Sequence, residues 1–180
     1  MTIHNPVAPD SKALQKEELS THISIGLVAD LMQKKQLLLA TAESCTGGMI
    51  AAACTDVSGS SAWFERGFVT YSNDAKTEML GVDAALITRD GAVSASVVQA
   101  MAKGALSRSH SQVSVAVTGV AGPNGGSAEK PVGTVWFAWA TPQGITSAVQ
   151  HFAGDRNAVR QATVRHALDR LVTLLQNAPE

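Results

Sequence analysis

Apolar and polar positions recur with two different periods along this chain, and the switches between them mark out its elements. Leu14, Ile23, Leu27, Val28, Leu31 and Met32 return at roughly helical spacing, which predicts a first helix from near Ser11, read as its N-cap, to Gln33. Leu37 to Ala42 is a short apolar run bounded by a turn and reads as a buried strand, with a small-residue helix after it over about Thr46 to Thr55. Val57 to Ala62 is a Ser/Gly loop, Trp63 to Ser72 the next strand region, and Asn73 to Leu80 two helical turns ended by Gly81. Ser94 to Ser107, with Ser94 as cap, is a helix that buries Val97, Val98, Met101 and Leu106. Val113 to Thr118 is a strand running into the glycine-rich stretch Gly119 to Gly126. Val132 to Ala140 and Ile145 to Phe152 flank Thr141-Pro-Gln-Gly144 and read as a β-hairpin. Asp155 caps a last helix to about Gln176, with Val159, Ala162, Val164, Leu168, Leu171 and Leu175 on its inner side. Strands alternating with helices predict a layered α/β domain whose sheet is mixed near the hairpin.

Composition narrows this picture. A length of 180 residues fits one domain, and residues 1–10, with two prolines and no periodicity, read as a flexible arm ahead of a single domain over 11–180. The 45% apolar and 16% charged residues suit a globular chain with a core that needs no metal or disulfide staple. A formal net charge of −1, with basic residues scattered, argues against nucleic acid as a partner. Two cysteines, Cys45 and Cys54, make neither a disulfide framework nor a zinc site, which suits a reducing compartment. No apolar run approaches the ~20 residues of a membrane span, and the N-terminus lacks a signal-peptide pattern. A cytoplasmic location away from membranes is expected.

Four stretches carry candidate chemistry. In Thr41-Ala-Glu-Ser44-Cys-Thr-Gly-Gly48, a serine sits at a strand-to-helix turn beside unpaired amides that can stabilise an oxyanion or hold a phosphate. The same residues also read as a helix cap, with Gly47 and Gly48 allowing tight packing. In Thr70-Tyr71-Ser72-Asn73-Asp74-Ala75-Lys76, the lysine falls in the first turn of a short helix. There the positive end of the dipole, together with burial, lowers an amine's pKa, and a neutral lysine can activate a serine. Tyr71, the only tyrosine, is placed to orient that lysine or relay its proton; an ordinary solvated Lys76 is the alternative. Thr118-Gly-Val-Ala-Gly-Pro-Asn-Gly-Gly126 offers backbone amides to a ligand or is simply a wide hairpin connection. Arg156, opening the last helix, pairs with a phosphate or carboxylate or is an exposed arginine. His4, His22, His110, His151 and His166 fall outside these turns, which weakens a Ser-His-Asp reading. No cluster has metal-ligand spacing, so no metal is expected.

In order along the chain, Thr41-Ala-Glu-Ser-Cys-Thr-Gly-Gly48, Ser58-Gly-Ser-Ser61, Gly67-Phe-Val-Thr-Tyr-Ser-Asn-Asp-Ala-Lys76 and Gly91-Ala-Val-Ser94 are followed by Thr118-Gly-Val-Ala-Gly-Pro123, Lys130-Pro-Val-Gly-Thr-Val135 and Gly154-Asp-Arg156. Over about residues 11–176 this resembles the CinA C-terminal domain family, and within it the stand-alone nicotinamide-nucleotide amidohydrolases. The resemblance implies a three-layer α/β/α sandwich and a homo-oligomer, dimer or higher. It implies hydrolysis of nicotinamide mononucleotide (NMN) to nicotinate mononucleotide and ammonia, in pyridine nucleotide salvage, with no metal or organic cofactor. Ser44 matches the family's nucleophile, and Lys76 with Tyr71 its activating pair. Cys45, Thr46 and Gly47 fall in the oxyanion turn, and Thr118, Gly119 and Arg156 match substrate-binding positions. The chain departs from the family at Asp90, where His is expected, and at Val120, where Ile is usual. A non-catalytic module that holds a nucleotide for regulation is the competing class, and ammonia release from NMN separates the two.

Overall fold

A computed structural model describes residues 11–178, with side chains from residue 19 onward; the expected arm over 1–10, the Ser11 cap and Leu14 lie outside that description. The elements run α1 (Ser11–Lys34), β1 (Leu39–Glu43), α2 (Met49–Thr55), a 3-10 turn (Ser60–Ala62), β2 (Phe64–Val69), α3 (Asn73–Leu80), α4 (Ala84–Asp90), α5 (Ala95–Ser107), β3 (Val113–Gly119), β4 (Thr134–Thr141), β5 (Gly144–His151) and α6 (Arg156–Asn177). The five strands form one sheet in the order β2-β1-β3-β4-β5. The first three are parallel, and β3, β4 and β5 are antiparallel, so the sheet is mixed at the hairpin as expected.

Side chains on the two faces of this sheet differ in size, and that difference sorts the helices. Leu39, Val113, Val115, Val117, Val135, Phe137 and Trp139 point to one side, where α1, α2 and α6 bury Ile25, Val28, Met32, Ile50, Leu168 and Leu171 against them. Ala40, Ala42, Ala116, Ala138 and Ala140 point to the other. Alanines let a helix sit close, and α5 fills that face with Val97, Val98, Met101, Ala102 and Ala105, flanked by Leu80 and Ile87 from α3 and α4. The approach continues one layer out. A Cβ on Gly104 would stand 2.1 Å from the Leu80 carbonyl oxygen, so glycine is what allows α3 to end against α5. The result is three layers, helices on both faces of the sheet.

Caps bound three of the helices where the sequence places their ends. The Ser72, Ser94 and Asp155 side chains accept from the amides of Ala75, Val97 and Ala158. Gly81 closes α3 in the left-handed conformation at φ 70°. Two expectations need correction. The small-residue helix begins at Met49 rather than Thr46, because Gly47 and Gly48 adopt φ of 61° and 99° and hold the preceding residues in a turn. Residues 84–90, for which no element is expected, form α4, capped by Asp83 through the amide of Ala85.

The connections out of β1 and β2 leave for opposite faces, α2 to one and α3 to α5 to the other. A crevice therefore opens beyond the carboxyl ends of the parallel strands. Register brings Glu43 beside Val69 and Val117 there, so residues 44, 70–72 and 118–119 converge on one rim.

Candidate active site

Two features shape the turn after β1. The Ser44 amide donates to the Val117 carbonyl, which continues the sheet by one bond and fixes the serine at the rim. Glu43, fully buried, then turns its carboxylate onto the start of α2. Its Oε2 accepts from Thr46 Oγ1 at 2.6 Å, from the Ile50 amide at 3.0 Å and from the Gly48 amide at 3.1 Å, and its Oε1 from the Ala51 amide at 2.8 Å. Gly48 supplies no side-chain cap, so this strand carboxylate caps the helix that follows it. The sequence reading passes over Glu43. The signal lies in a carboxylate at the end of a buried strand, six residues ahead of a helix whose cap position is glycine.

With Glu43 occupied by those donors, the N–H groups of Cys45 and Thr46 are left over. Among the described residues neither donates to a protein oxygen, while Gly47 donates back to the Ser44 carbonyl. Burial pushes the Cys45 thiol up to about 11, opposed by the nearby backbone amides of Cys45 and Thr46. Cys45 is thus an inert wall residue at neutral pH. Both cysteines are free and buried.

Lys76, the fourth residue of α3, is 1% exposed, so the solvated-lysine alternative does not hold. Its chain runs back toward the N-terminus of α3. Nζ donates to Ser44 Oγ at 3.1 Å, to the Thr70 carbonyl at 2.9 Å and to the Ser72 carbonyl at 3.5 Å. None of those partners carries a charge. Burial lowers the lysine pKa, with only weak opposition from Cys45. An amine of depressed basicity within hydrogen-bond reach of a buried hydroxyl is the arrangement from which a serine can be deprotonated.

Tyr71 takes a different position from the expected one. Its ring is 59% exposed, and its hydroxyl accepts from Arg156 Nη2 at 2.9 Å instead of meeting Lys76. The backbone of residues 70 and 72, through their carbonyls, orients the lysine instead. Arg156 also donates from Nη1 to the Gly122 carbonyl at 3.0 Å, so it spans from β2's exit to the glycine-rich loop. Thr118 is buried and donates to the Ala92 carbonyl at 2.9 Å, tying β3 to the segment ahead of α5. At Gly119 a Cβ would lie 2.7 Å from Val135 and 2.8 Å from the Thr134 carbonyl oxygen, so the β3–β4 pair can close only on glycine. The loop after it joins adjacent antiparallel strands, and so it is also the wide hairpin connection that the sequence left open.

These groups enclose a cleft of about 240 Å³ lined by Ser44, Cys45, Tyr71, Lys76, Thr118 and Arg156, among others. Ala121 and Arg156 are shared with a neighbouring cleft of about 600 Å³, which Gly154, Asn157 and Arg160 also line. No described histidine lines either one. Asp90 lies outside both; its carboxylate accepts from Arg89 and Ser96, and its carbonyl from Lys130 Nζ.

The carboxyl edge of the parallel sheet thus holds a serine hydroxyl with a buried lysine amine on it and two backbone amides of the following turn beside it. The family model described as "CinA C-terminal domain" matches residues 23–175, and the chain belongs to that family. Among its relatives is a nicotinamide-nucleotide amidohydrolase, PncC, of Enterobacter agglomerans, 56% identical over 149 residues, or 82% of this chain and 88% of the relative. A protein of the same name from Pseudomonas putida is 58% identical over 134 residues, 74% of this chain and 84% of the relative. Among solved structures, the competence/damage inducible protein CihA of Agrobacterium tumefaciens superposes with a TM-score of 0.84 at 46% identity, covering 86% of this chain and 95% of that one. No helix among the described residues is long and apolar enough to cross a membrane.

Proposed function

We propose that this protein hydrolyses the carboxamide of nicotinamide mononucleotide, giving nicotinate mononucleotide and ammonia, in the recycling of pyridine nucleotides. The relatives named as nicotinamide-nucleotide amidohydrolases support the substrate. The chemistry rests on one observation, the 3.1 Å contact between the buried Lys76 amine and the Ser44 hydroxyl. In its neutral form Lys76 takes the Ser44 proton as Oγ attacks the carboxamide carbon. The carbonyl oxygen becomes an oxyanion beside the free N–H groups of Cys45 and Thr46. Lys76 then passes its proton to the amide nitrogen, the C–N bond breaks, and ammonia leaves an acyl ester on Ser44. Water attacks that ester, Lys76 accepts its proton, and nicotinate mononucleotide departs as Ser44 regains a proton.

The cleft of about 240 Å³ suits the pyridine carboxamide, and the ribose phosphate extends toward Arg156 and the larger cleft. Binding energy from that remote charged anchor holds the carbonyl against Ser44. Tyr71, on the outer rim, steers Arg156 in this reading. A cytoplasmic location and a homo-oligomer accompany the assignment. The test is ammonia release: purified protein supplied with NMN liberates ammonia and nicotinate mononucleotide in equal amounts, whereas a regulatory module binds NMN and releases none.

A further inference from the structure

Arg156 and Arg160 are one helical turn apart on α6, and both line the larger cleft. Like charges at this spacing repel. Arg156 is tied to Tyr71 and Gly122. Arg160 reaches the other way: Nη2 donates to the Thr46 carbonyl at 2.8 Å, shorter than the 3.4 Å bond that the same oxygen accepts from the Met49 amide. Its Nε is buried with no hydrogen-bond partner among the described residues. Leaving a charged donor unmatched is costly, so the guanidinium is complete only when an acceptor arrives. The Thr46 carbonyl belongs to the turn whose Cys45 and Thr46 amides, among the described residues, donate to no protein oxygen. One end of Arg160 thus holds the turn after Ser44, while the residue also lines the neighbouring cleft and its enclosed Nε has no partner among the described residues.

We infer that Arg160 is a positioning residue that couples an anionic group in the larger cleft to the alignment of the Ser44 turn. This rests on the amidohydrolase reading, and the anion it names is the substrate's phosphate monoester. A phosphate that meets the guanidinium from the cleft neutralises the repulsion with Arg156, immobilises the side chain and stiffens its bond to Thr46. The phosphate then contributes to turnover as well as to affinity, because its binding energy is realised at the oxyanion turn. Arginine suits this task because its planar fork can serve two acceptors at once, whereas lysine presents a point charge.

The experiment compares kcat and KM for NMN and for its dephosphorylated riboside in wild type, Arg160→Gln and Arg160→Lys, with and without added phosphite dianion as the separated anion. In wild type, phosphite accelerates riboside hydrolysis. In Arg160→Gln that activation disappears, and the ratio of kcat for NMN to kcat for riboside shrinks about tenfold, equivalent to about 1.4 kcal/mol. Arg160→Lys keeps the charge and the fold; its KM for NMN stays within about threefold while kcat falls by a similar tenfold factor. Equal losses on both substrates, with phosphite activation intact, mean that Arg160 only braces the turn and overturn the coupling. A wild-type kcat ratio in Arg160→Lys also overturns it, since charge alone then suffices. If wild-type protein releases no ammonia from NMN, the amidohydrolase reading fails first.

Discussion

Replacing Glu43 by glutamine changes one atom and tests whether a strand carboxylate builds the nucleophile's turn. In the wild type both oxygens accept, three donors on Oε2 and one on Oε1. The glutamine carbonyl can keep the three donors of Oε2, but its NH2 then faces the Ala51 N–H, donor against donor. Leaving that buried pair unmatched costs about 1–3 kcal/mol, and turning three charge-assisted bonds into neutral ones removes roughly 1 kcal/mol each. A neutral amide is easier to bury than a carboxylate, which offsets part of the loss. The net expectation is a destabilisation of about 3 kcal/mol, or a fall in Tm of about 6–12 °C for a domain of this size. The damage falls on the start of α2, so the Cys45 and Thr46 amides lose their alignment and kcat for NMN drops at least tenfold at a temperature where the variant is folded. Circular dichroism melting and ammonia release measure the two effects. A Tm within about 2 °C of wild type, with kcat unchanged, would refute the assignment of Glu43 as the cap that builds the site.

Three further outcomes are expected. Because burial depresses the Lys76 pKa and the neutral amine is the reactive form, kcat/KM rises with pH to a plateau whose midpoint lies below that of an ordinary lysine; Lys76→Arg, which cannot shed its proton, is as damaging as Lys76→Ala, and retention of most activity by Lys76→Arg would remove the base. Tyr71→Phe loses one exposed hydrogen bond to Arg156, so its stability is unchanged within about 1 kcal/mol and its KM for NMN rises a few-fold while kcat holds; a kcat collapse would place the phenol on the proton path after all. Alkylation with iodoacetamide at pH 7.5 leaves activity intact, since the buried Cys45 thiol titrates near 11, and rapid inactivation traced to Cys45 by peptide mass would contradict that burial.

Local signals carried the sequence reading furthest. Thr141-Pro-Gln-Gly144 marked the hairpin, Ser94 and Asp155 marked two helix starts, and Asn73 to Leu80 ended at the glycine that ends it in the fold. The helix over 84–90 was missed because seven residues hold too few apolar positions to display a period, although Asp83 and Gly91 punctuate it. Strand order depends on pairings between segments far apart in sequence and had no local signature. The candidate site divides in the same way. Ser44 was legible from its strand–turn placement and motif, whereas the burial of Lys76 depends on β1, β2 and α3 closing around it. Tyr71 stands next in sequence to Thr70, but alternation on an extended backbone turns its ring outward to Arg156, 85 residues away, while the Thr70 carbonyl faces the lysine. Arg160 had no distinguishing context in the sequence, because its meaning comes from Thr46 across the site.

The most direct test of the central claim is the steady-state kcat of purified Ser44→Ala protein on NMN, read as ammonia released, beside its melting curve. The Ser44 side chain accepts from no amide of α2, a role that Glu43 fills, so the variant is expected to keep its stability within about 1 kcal/mol of wild type. With the nucleophile gone and the oxyanion turn intact, kcat should fall by at least about three orders of magnitude. A folded Ser44→Ala protein that turns NMN over within tenfold of wild type would contradict the serine–lysine mechanism.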